Sequence, residues 1–121
     1  MLVASQSQPG MWDAVTNMVF KTLKEVQNIM DVMHTDEGCN HVSRQFAASI
    51  ISLCGDCVDV YMLTVTAPSK LPHLSSKFSV VMAAVNDLRC NTRYNISEHV
   101  CDALAVVAGK IHVLCDILSF E

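Results

Sequence analysis

Apolar residues recur at alternating steps of three and four through four long segments of this 121-residue chain. This spacing places them along one face of an α-helix, and a helix with such a face buries it against a core. The segments cover roughly residues 9–34, 37–66, 71–91 and 96–120. The links between them are short, which makes successive helices antiparallel neighbours. The sequence therefore predicts an all-α fold, an antiparallel up-down-up-down four-helix bundle.

The ends of the segments carry signals for helix boundaries. Thr35 or Asp36 can cap the second helix, because a short polar side chain accepts hydrogen bonds from the free amides of a first turn. That helix is expected to stop before Pro68, since proline disfavours helical geometry in the preceding residue. At the start of the fourth helix, Asn95 followed three residues later by Glu98 fits a capping box.

Length and composition indicate a single folded domain. A chain of 121 residues fits one domain, and 51% of its residues are apolar while only 17% are charged. We assign residues 9–121 to one bundle domain and residues 1–8 to a flexible N-terminal tail. The apolar share exceeds what one small core needs, which favours an outer apolar groove or a partner.

Charge and motif content narrow the class of function. The net charge is −4, from eight Lys and Arg against twelve Asp and Glu, and the lack of a basic run argues against nucleic acid. No window approaches the roughly 20 uninterrupted apolar residues of a membrane span, and the N-terminus lacks a signal-peptide pattern. Glycine-rich phosphate loops, GxSxG and HExxH are absent. We therefore predict no membrane span, no enzyme activity and no cofactor.

Two cysteines lie three residues apart in residues 52–57, SLCGDC. A redox pair with this spacing draws its thiolate character from a helix N-terminus, and a zinc site needs about four ligands. This pair falls inside the second segment, and no other Cys or His repeats the spacing. We interpret Cys57 as a core residue and Cys54 as part of an adjoining apolar strip, and predict no metal site. Gly55 weakens a helix interior, which predicts a close helix contact or a local bend.

Some segments carry a second apolar strip beside the core-facing stripe. The core-facing stripe of the second segment is predicted to be Cys39, Val42, Phe46, Ile50, Leu53, Cys57 and Val60. The second strips are Met18, Ile29 and Val32 on the first segment, Ala47, Ile51, Cys54, Val58 and Tyr61 on the second, and Ala103, Val106 and Val113 on the fourth. Two strips are more than a four-helix core requires, so one of them can line an outer groove for another amphipathic helix.

A resemblance to a known family is carried by residues 99–118, which read HVCDALAVVAGKIHVLCDIL. They resemble the last helix of the focal adhesion targeting domain, the C-terminal bundle of focal adhesion kinases. Residues 11–26, MWDAVTNMVFKTLKEV, look like the first helix of that family. Residues 74–93 are similar to the bundle of the paxillin-binding Arf-GAP scaffolds, which share the fold. Gly109 departs from the family pattern, as does the second segment.

The resemblance implies a cytoplasmic, non-catalytic adaptor domain at adhesion sites or the cytoskeleton. It implies binding of leucine-rich LD motifs, short amphipathic helices of paxillin-like partners, in a groove between the first and fourth helices or between the second and third. Basic residues at the rim of each groove pair with acidic residues of the ligand. The matching residues are Lys21, Lys24 and Lys110 for the first groove, with Met18, Val106 and Val113 from the apolar strips, and Arg44, Lys77 and Arg89 for the second.

Three alternatives to this hypothesis stay open. One is a structural or self-associating bundle of the vinculin and α-catenin kind, including a homodimer. A second is a thiol or metal protein built on Cys54 and Cys57. A third is a secreted helical cytokine, which would require disulfide bonds among the six cysteines.

Overall fold

The computed structural model describes residues 9–67, 69, 71–91 and 93–119, apart from the side chains of residues 9–13, 71 and 119. The predicted tail, residues 1–8, lies outside the described residues. Four helices make up nearly all of the described chain: α1 (Pro9–His34), α2 (His41–Thr66), α3 (Leu71–Cys90) and α4 (Glu98–Ser119). This confirms the predicted all-α class.

The four helices form a closed ring of neighbours. Helix α1 packs against α2 and α4, and α3 packs against the same two helices. Two ion pairs show that α4 runs antiparallel to α1. Glu25 pairs with Lys110, and Asp36, eleven residues after Glu25, pairs with His99, eleven residues before Lys110. The arrangement is the predicted antiparallel four-helix bundle.

The core consists of the apolar stripes that the three- and four-residue spacing predicts for α1, α3 and α4. Among the side chains that the structure describes, Phe78 is the largest that is fully buried. The stripes that are buried as predicted are Val15, Val19, Leu23, Val26, Met30 and Met33 on α1, Leu74, Phe78, Val81, Val85 and Leu88 on α3, and Val100, Leu104, Val107, Ile111, Leu114 and Leu118 on α4. The predicted stripes also include Trp12 on α1 and Leu71 on α3, whose side chains lie outside the described residues.

Helix α2 is rotated relative to the predicted stripe. Its buried residues are Ser43, Ala47, Ile50, Cys54, Cys57, Val60 and Thr64, whereas Val42 is 44% exposed. Phe46 is only partly buried, and its ring stacks on Tyr94 from the α3–α4 connection with a centroid distance of 4.9 Å. The small side chains of Ala47 and Cys54 thus face the interior, while the ring of Phe46 packs on Tyr94 at the side of the bundle. Cys54 therefore belongs to the core and not to an adjoining strip.

The structure also corrects both predicted caps. Asn40 caps α2, because its Oδ1 accepts hydrogen bonds from Ser43 N at 2.9 Å and Ser43 Oγ at 2.6 Å. The first backbone bond of α4 runs from Cys101 N to Ser97 O at 2.9 Å, so Ser97 and not Asn95 precedes this helix. The backbone carbonyl of Asn95 instead accepts from Asn40 N at 2.9 Å and ties the two interhelical connections together.

Of the two outcomes predicted for Gly55, a close helix contact or a local bend, the structure does not show the close contact. A Cβ built at this position meets nothing within 4 Å. Because glycine adds backbone entropy to the unfolded chain, Gly55→Ala is expected to raise the free energy of unfolding by about 0.5–1 kcal/mol. Urea unfolding followed by circular dichroism measures this difference.

Gly38→Ala is the matched control for Gly55→Ala. A Cβ at Gly38 would lie 3.1 Å from Asp36 Oδ1 and 3.1 Å from Ser97 Cβ. These two residues are held to each other by a 2.6 Å hydrogen bond and cannot easily yield. Alanine is expected to destabilise the protein at Gly38, and an equal gain at both glycines would contradict the packing described.

Helix α2 is long and apolar enough to cross a membrane by length and composition alone. The mean hydropathy of its most apolar 18-residue window is 1.6, and 28% of that window is buried inside the bundle. Asp56 and Asp59 interrupt the apolar run of this helix, so the window is not an uninterrupted apolar stretch. A core helix of a bundle passes the same test, so the finding does not distinguish the two. That the chain has no membrane span stays a prediction.

Candidate functional site

Two exposed stripes face each other along the outer surface between α1 and α4. On α1, Met18, Glu25 and Val32 are spaced by seven residues, which brings them back to within about 20° of the same face. The α4 stripe consists of Val106, Lys110 and Val113. Four of the six side chains are large, apolar and more than half exposed: Met18 (51%), Val32 (52%), Val106 (63%) and Val113 (56%).

An ion pair at the centre sets the register of the two stripes. Lys110 Nζ lies 3.0 Å from Glu25 Oε2 and 3.1 Å from Oε1. Because the helices are antiparallel, Met18 lies toward Val113 on one side of the pair, and Val32 lies toward Val106 on the other. We call the whole surface the α1/α4 groove. We call the apolar residues on the two sides of the ion pair its two lobes: Met18 with Val113, and Val32 with Val106.

The lobe at Met18 and Val113 is an open concavity with a volume of about 310 Å³. Its remaining lining residues are Thr22, Gly109, Lys110 and Leu114. Thr22 and Leu114 are buried at the base, and a Cβ at Gly109 would meet nothing within 4 Å. The missing side chain at Gly109 therefore leaves this lobe open. The lining can bury an apolar side chain and pair with a carboxylate through Lys110.

The structure separates the basic residues predicted for this groove. Met18, Lys110 and Val113 line the same lobe. Lys21 is exposed three residues after Met18, but it is not among the residues that line this lobe. Lys24 Nζ instead lies 5.5 Å from the ring centroid of Phe20, which stacks on Tyr61 of α2. Lys24 therefore belongs to the surface between α1 and α2.

The basic residues predicted for the second groove do not come together. His34 Nδ1 at the end of α1 lies 3.3 Å from the backbone carbonyl of Arg44, so Arg44 sits beside the α1–α2 connection. Lys77 is close enough to Cys57 for its charge to affect that thiol. Arg89 is exposed twelve residues after Lys77, which is about 120° around the helix. No common face holds these three cations.

Sequence reasoning missed Glu25, Thr22 and Gly109 as members of the groove. Glu25 is not among the predicted groove residues, although its seven-residue spacing from Met18 and Val32 is a signal in the sequence. Its partner Lys110 is 85 residues away, and no local pattern links the two.

The groove ends beside a polar cluster in which Asp36 joins the two interhelical connections. Ser97 Oγ donates to Asp36 Oδ2 at 2.6 Å, Gly38 N donates to Oδ1 at 2.8 Å, and His99 Nε2 lies 3.2 Å from Oδ2. The pKa of Asp36 is lowered from its ordinary value of 3.8, mainly by the Ser97 hydrogen bond, then by the Gly38 bond and the charges of His99 and Arg44. The cluster favours the ionised carboxylate in the folded state.

This cluster predicts a pH-dependent contribution to stability. Because the folded pKa lies below the unfolded value of 3.8, ionised Asp36 stabilises the fold above pH 3.8, and the contribution is lost as the pH falls through the folded pKa. Asp36→Asn is expected to lower the thermal midpoint at neutral pH, and the difference from the wild type should shrink below pH 3.8. Glu37→Gln, at the exposed neighbour, is the control. Equal effects of the two variants at neutral pH would contradict the role of the cluster.

The six cysteines are free thiols, and those of the CxxC pair are buried. Burial raises the pKa of Cys54 and of Cys57 to about 12, and for Cys57 the neighbouring Cys54 and Cys115 add to this effect. Such thiols hold their protons at neutral pH and are poor nucleophiles and poor metal ligands. Among the described residues, no three His, Cys, Asp or Glu are grouped so that they could hold a metal ion.

Native-state thiol labelling is expected to divide the cysteines into classes. Exposed Cys90 and Cys101 should react rapidly and half-buried Cys115 more slowly. Cys54 and Cys57 should react at least about a thousandfold more slowly, because they become accessible only when the bundle opens. Mass spectrometry of maleimide-treated protein measures the order, and a sample labelled in urea supplies the full count. Rapid native labelling of Cys54 or Cys57 would revive the hypothesis of a thiol protein.

Comparisons with protein-family models, with curated proteins and with solved structures found no match for this chain.

Proposed function

We propose that this chain is a non-catalytic adaptor or targeting domain that binds a short amphipathic helix in the α1/α4 groove. The observation that carries the proposal is the pair of exposed stripes, in which apolar residues flank a central lysine. In the form implied by the family resemblance, the ligand is a leucine-rich LD-type helix of a paxillin-like partner, and the site of action is cytoplasmic, at adhesions or the cytoskeleton.

The dimensions of the groove suit a helical ligand. Met18 and Val32 lie fourteen residues apart, or about 21 Å along α1, which is the length of roughly four helical turns. An amphipathic helix presents apolar anchors at i, i+3, i+4 and i+7 to such a groove. These anchors supply most of the affinity, while the rim charges mainly steer the orientation and the rate of association.

The charges of the groove favour an acidic partner. Lys110 stands at its centre, exposed Lys21 follows Met18 by three residues on α1, and Glu25 is the acidic member of the two stripes. An acidic residue of a bound helix would face Lys110, whereas a basic residue at that place would meet a like charge. The α2–α3 surface is the weaker candidate, because Arg44, Lys77 and Arg89 do not share a face.

A second candidate function, self-association, is favoured by a different group of side chains. Met62, Leu63 and Val65 near the end of α2 are 58%, 50% and 64% exposed. Exposed apolar residues of this kind can mark a surface between copies of a chain. Sedimentation velocity measured over a range of concentrations detects such a dimer directly.

Titration of the isotope-labelled chain with an LD-motif peptide tests the main proposal. Binding should produce saturable amide shifts concentrated on α1 and α4. Saturable shifts confined to α2 and α3 would move the site to the other groove. The absence of saturable shifts at millimolar peptide, together with concentration-dependent dimerisation, would favour self-association.

A further inference from the structure

Within the groove, the chain already supplies an acidic side chain to its own central lysine. Lys110 Nζ contacts both carboxylate oxygens of Glu25, at 3.1 and 3.0 Å. The two side chains are 50% and 43% exposed, so the pair is open to solvent and to a ligand. In the free protein, the cation that an acidic helix would meet between the two lobes is therefore occupied.

Resting on the proposed function, we propose that Glu25 is an internal competitor of the ligand: it binds Lys110 in the free protein and is displaced by a carboxylate of the bound helix. A Lys–Glu pair exposed to this degree is weakly held, so an incoming carboxylate can replace it at low cost. The displaced Glu25 then stands as a like charge beside the ligand. Glu25 thus weakens the binding of acidic helices without affecting neutral ones to the same degree.

The same geometry specifies where the ligand must carry its acidic residue. Lys110 lies four residues after Val106 and three residues before Val113, between the two lobes. A ligand helix with apolar residues at i and i+7 spans about 10 Å, which matches the separation of Val106 and Val113 along α4. An acidic side chain at i+4 of that ligand takes the place of one of its four apolar anchors, and it lies between the outer two on the same face. The groove therefore selects an apolar–acidic–apolar pattern with a seven-residue spacing.

Two matched peptides and three protein variants test this inference. Each peptide is an amphipathic helix of about 18 residues with leucines at i, i+3 and i+7, and the two peptides differ only by Glu or Gln at i+4. Fluorescence anisotropy gives the dissociation constants for the wild type, Glu25→Gln and Glu25→Gln/Lys110→Met. Asp59→Asn removes the same charge from an exposed position on α2 and serves as the control.

Glu25→Gln is expected to tighten binding of the Glu peptide by about threefold to tenfold and to leave the Gln peptide within about twofold of the wild type. The double variant should lose this gain, and Asp59→Asn should not show it. In the wild-type protein, the side-chain carboxyl ¹³C signal of Glu25 should shift when the Glu peptide binds, because Glu25 loses Lys110. This measurement does not depend on how well any variant folds.

The outcomes separate this inference from the proposed function. If the wild type binds both peptides but Glu25→Gln changes neither affinity or changes both equally, the competitor role is overturned and the helix-binding function stands. If the wild type binds neither peptide and shows no shift, the proposed function fails, and the competitor role fails with it. A gain with Asp59→Asn equal to that with Glu25→Gln would assign the effect to net charge and would also overturn the inference.

Discussion

Phe78→Ala is expected to lower the free energy of unfolding by about 3–5 kcal/mol, the range for removing a buried aromatic ring from a core. Phe78 is fully buried, and no other fully buried side chain in the described part of the chain is larger. It lies on α3, in a core whose other large buried side chains are mainly aliphatic. Because the total stability of such a domain is about 5–15 kcal/mol, this single change removes a large share of it.

Urea unfolding and thermal denaturation measure the effect. For a domain of this size, the expected loss corresponds to a fall in the thermal midpoint of about 10–20 °C. Val80→Ala, two residues along the same helix, is the matched control: Val80 is 47% exposed, and its truncation should change stability by no more than about 0.5 kcal/mol. A loss of less than about 1 kcal/mol for Phe78→Ala would contradict the placement of the ring in the core.

The apolar spacing predicted the core of three helices but not that of α2, and the reason lies in particular residues. The predicted stripe contains Phe46, Ile50 and Cys57, and the observed stripe contains Ala47, Ile50 and Cys57. Both fit a helical period, so periodicity alone does not choose between them. In the observed rotation Phe46 stacks on Tyr94, a contact across 48 residues that no local pattern contains.

The same limit applies to the caps and to the candidate site. Several short polar residues in the α1–α2 connection can cap a helix, and the one that does so, Asn40, also bonds to the α3–α4 connection through its backbone amide. The apolar residues of the groove could be predicted, since Met18, Val106 and Val113 lie on second apolar strips. The pairing of Glu25 with Lys110 could not, because it depends on the register of two helices that are far apart in sequence.

Val113→Glu is expected to weaken the binding of an LD-type peptide by at least about 30-fold, because it places a carboxylate where an apolar anchor of the ligand should be buried. The change also sets an acid three residues from Lys110, on the same face of α4, where it can pair with the cation that the ligand needs. The substitution Val113→Glu should leave the folded state intact. Val113 is 56% exposed, and glutamate has a higher helix propensity than valine, so stability should change by no more than about 0.5 kcal/mol.

Val80→Glu makes the comparison specific to the groove. Val80 is also an exposed valine in a helix, at 47%, but it lies on α3 outside the α1/α4 groove. The two variants have the same net charge and the same change in helix propensity, so general effects of charge on an acidic peptide cancel between them. Isothermal titration of both variants should therefore show the large loss for Val113→Glu alone. Equal losses of affinity would show that the added negative charge, and not its position in the groove, weakens binding. A loss confined to Val80→Glu would place the ligand on α3 instead.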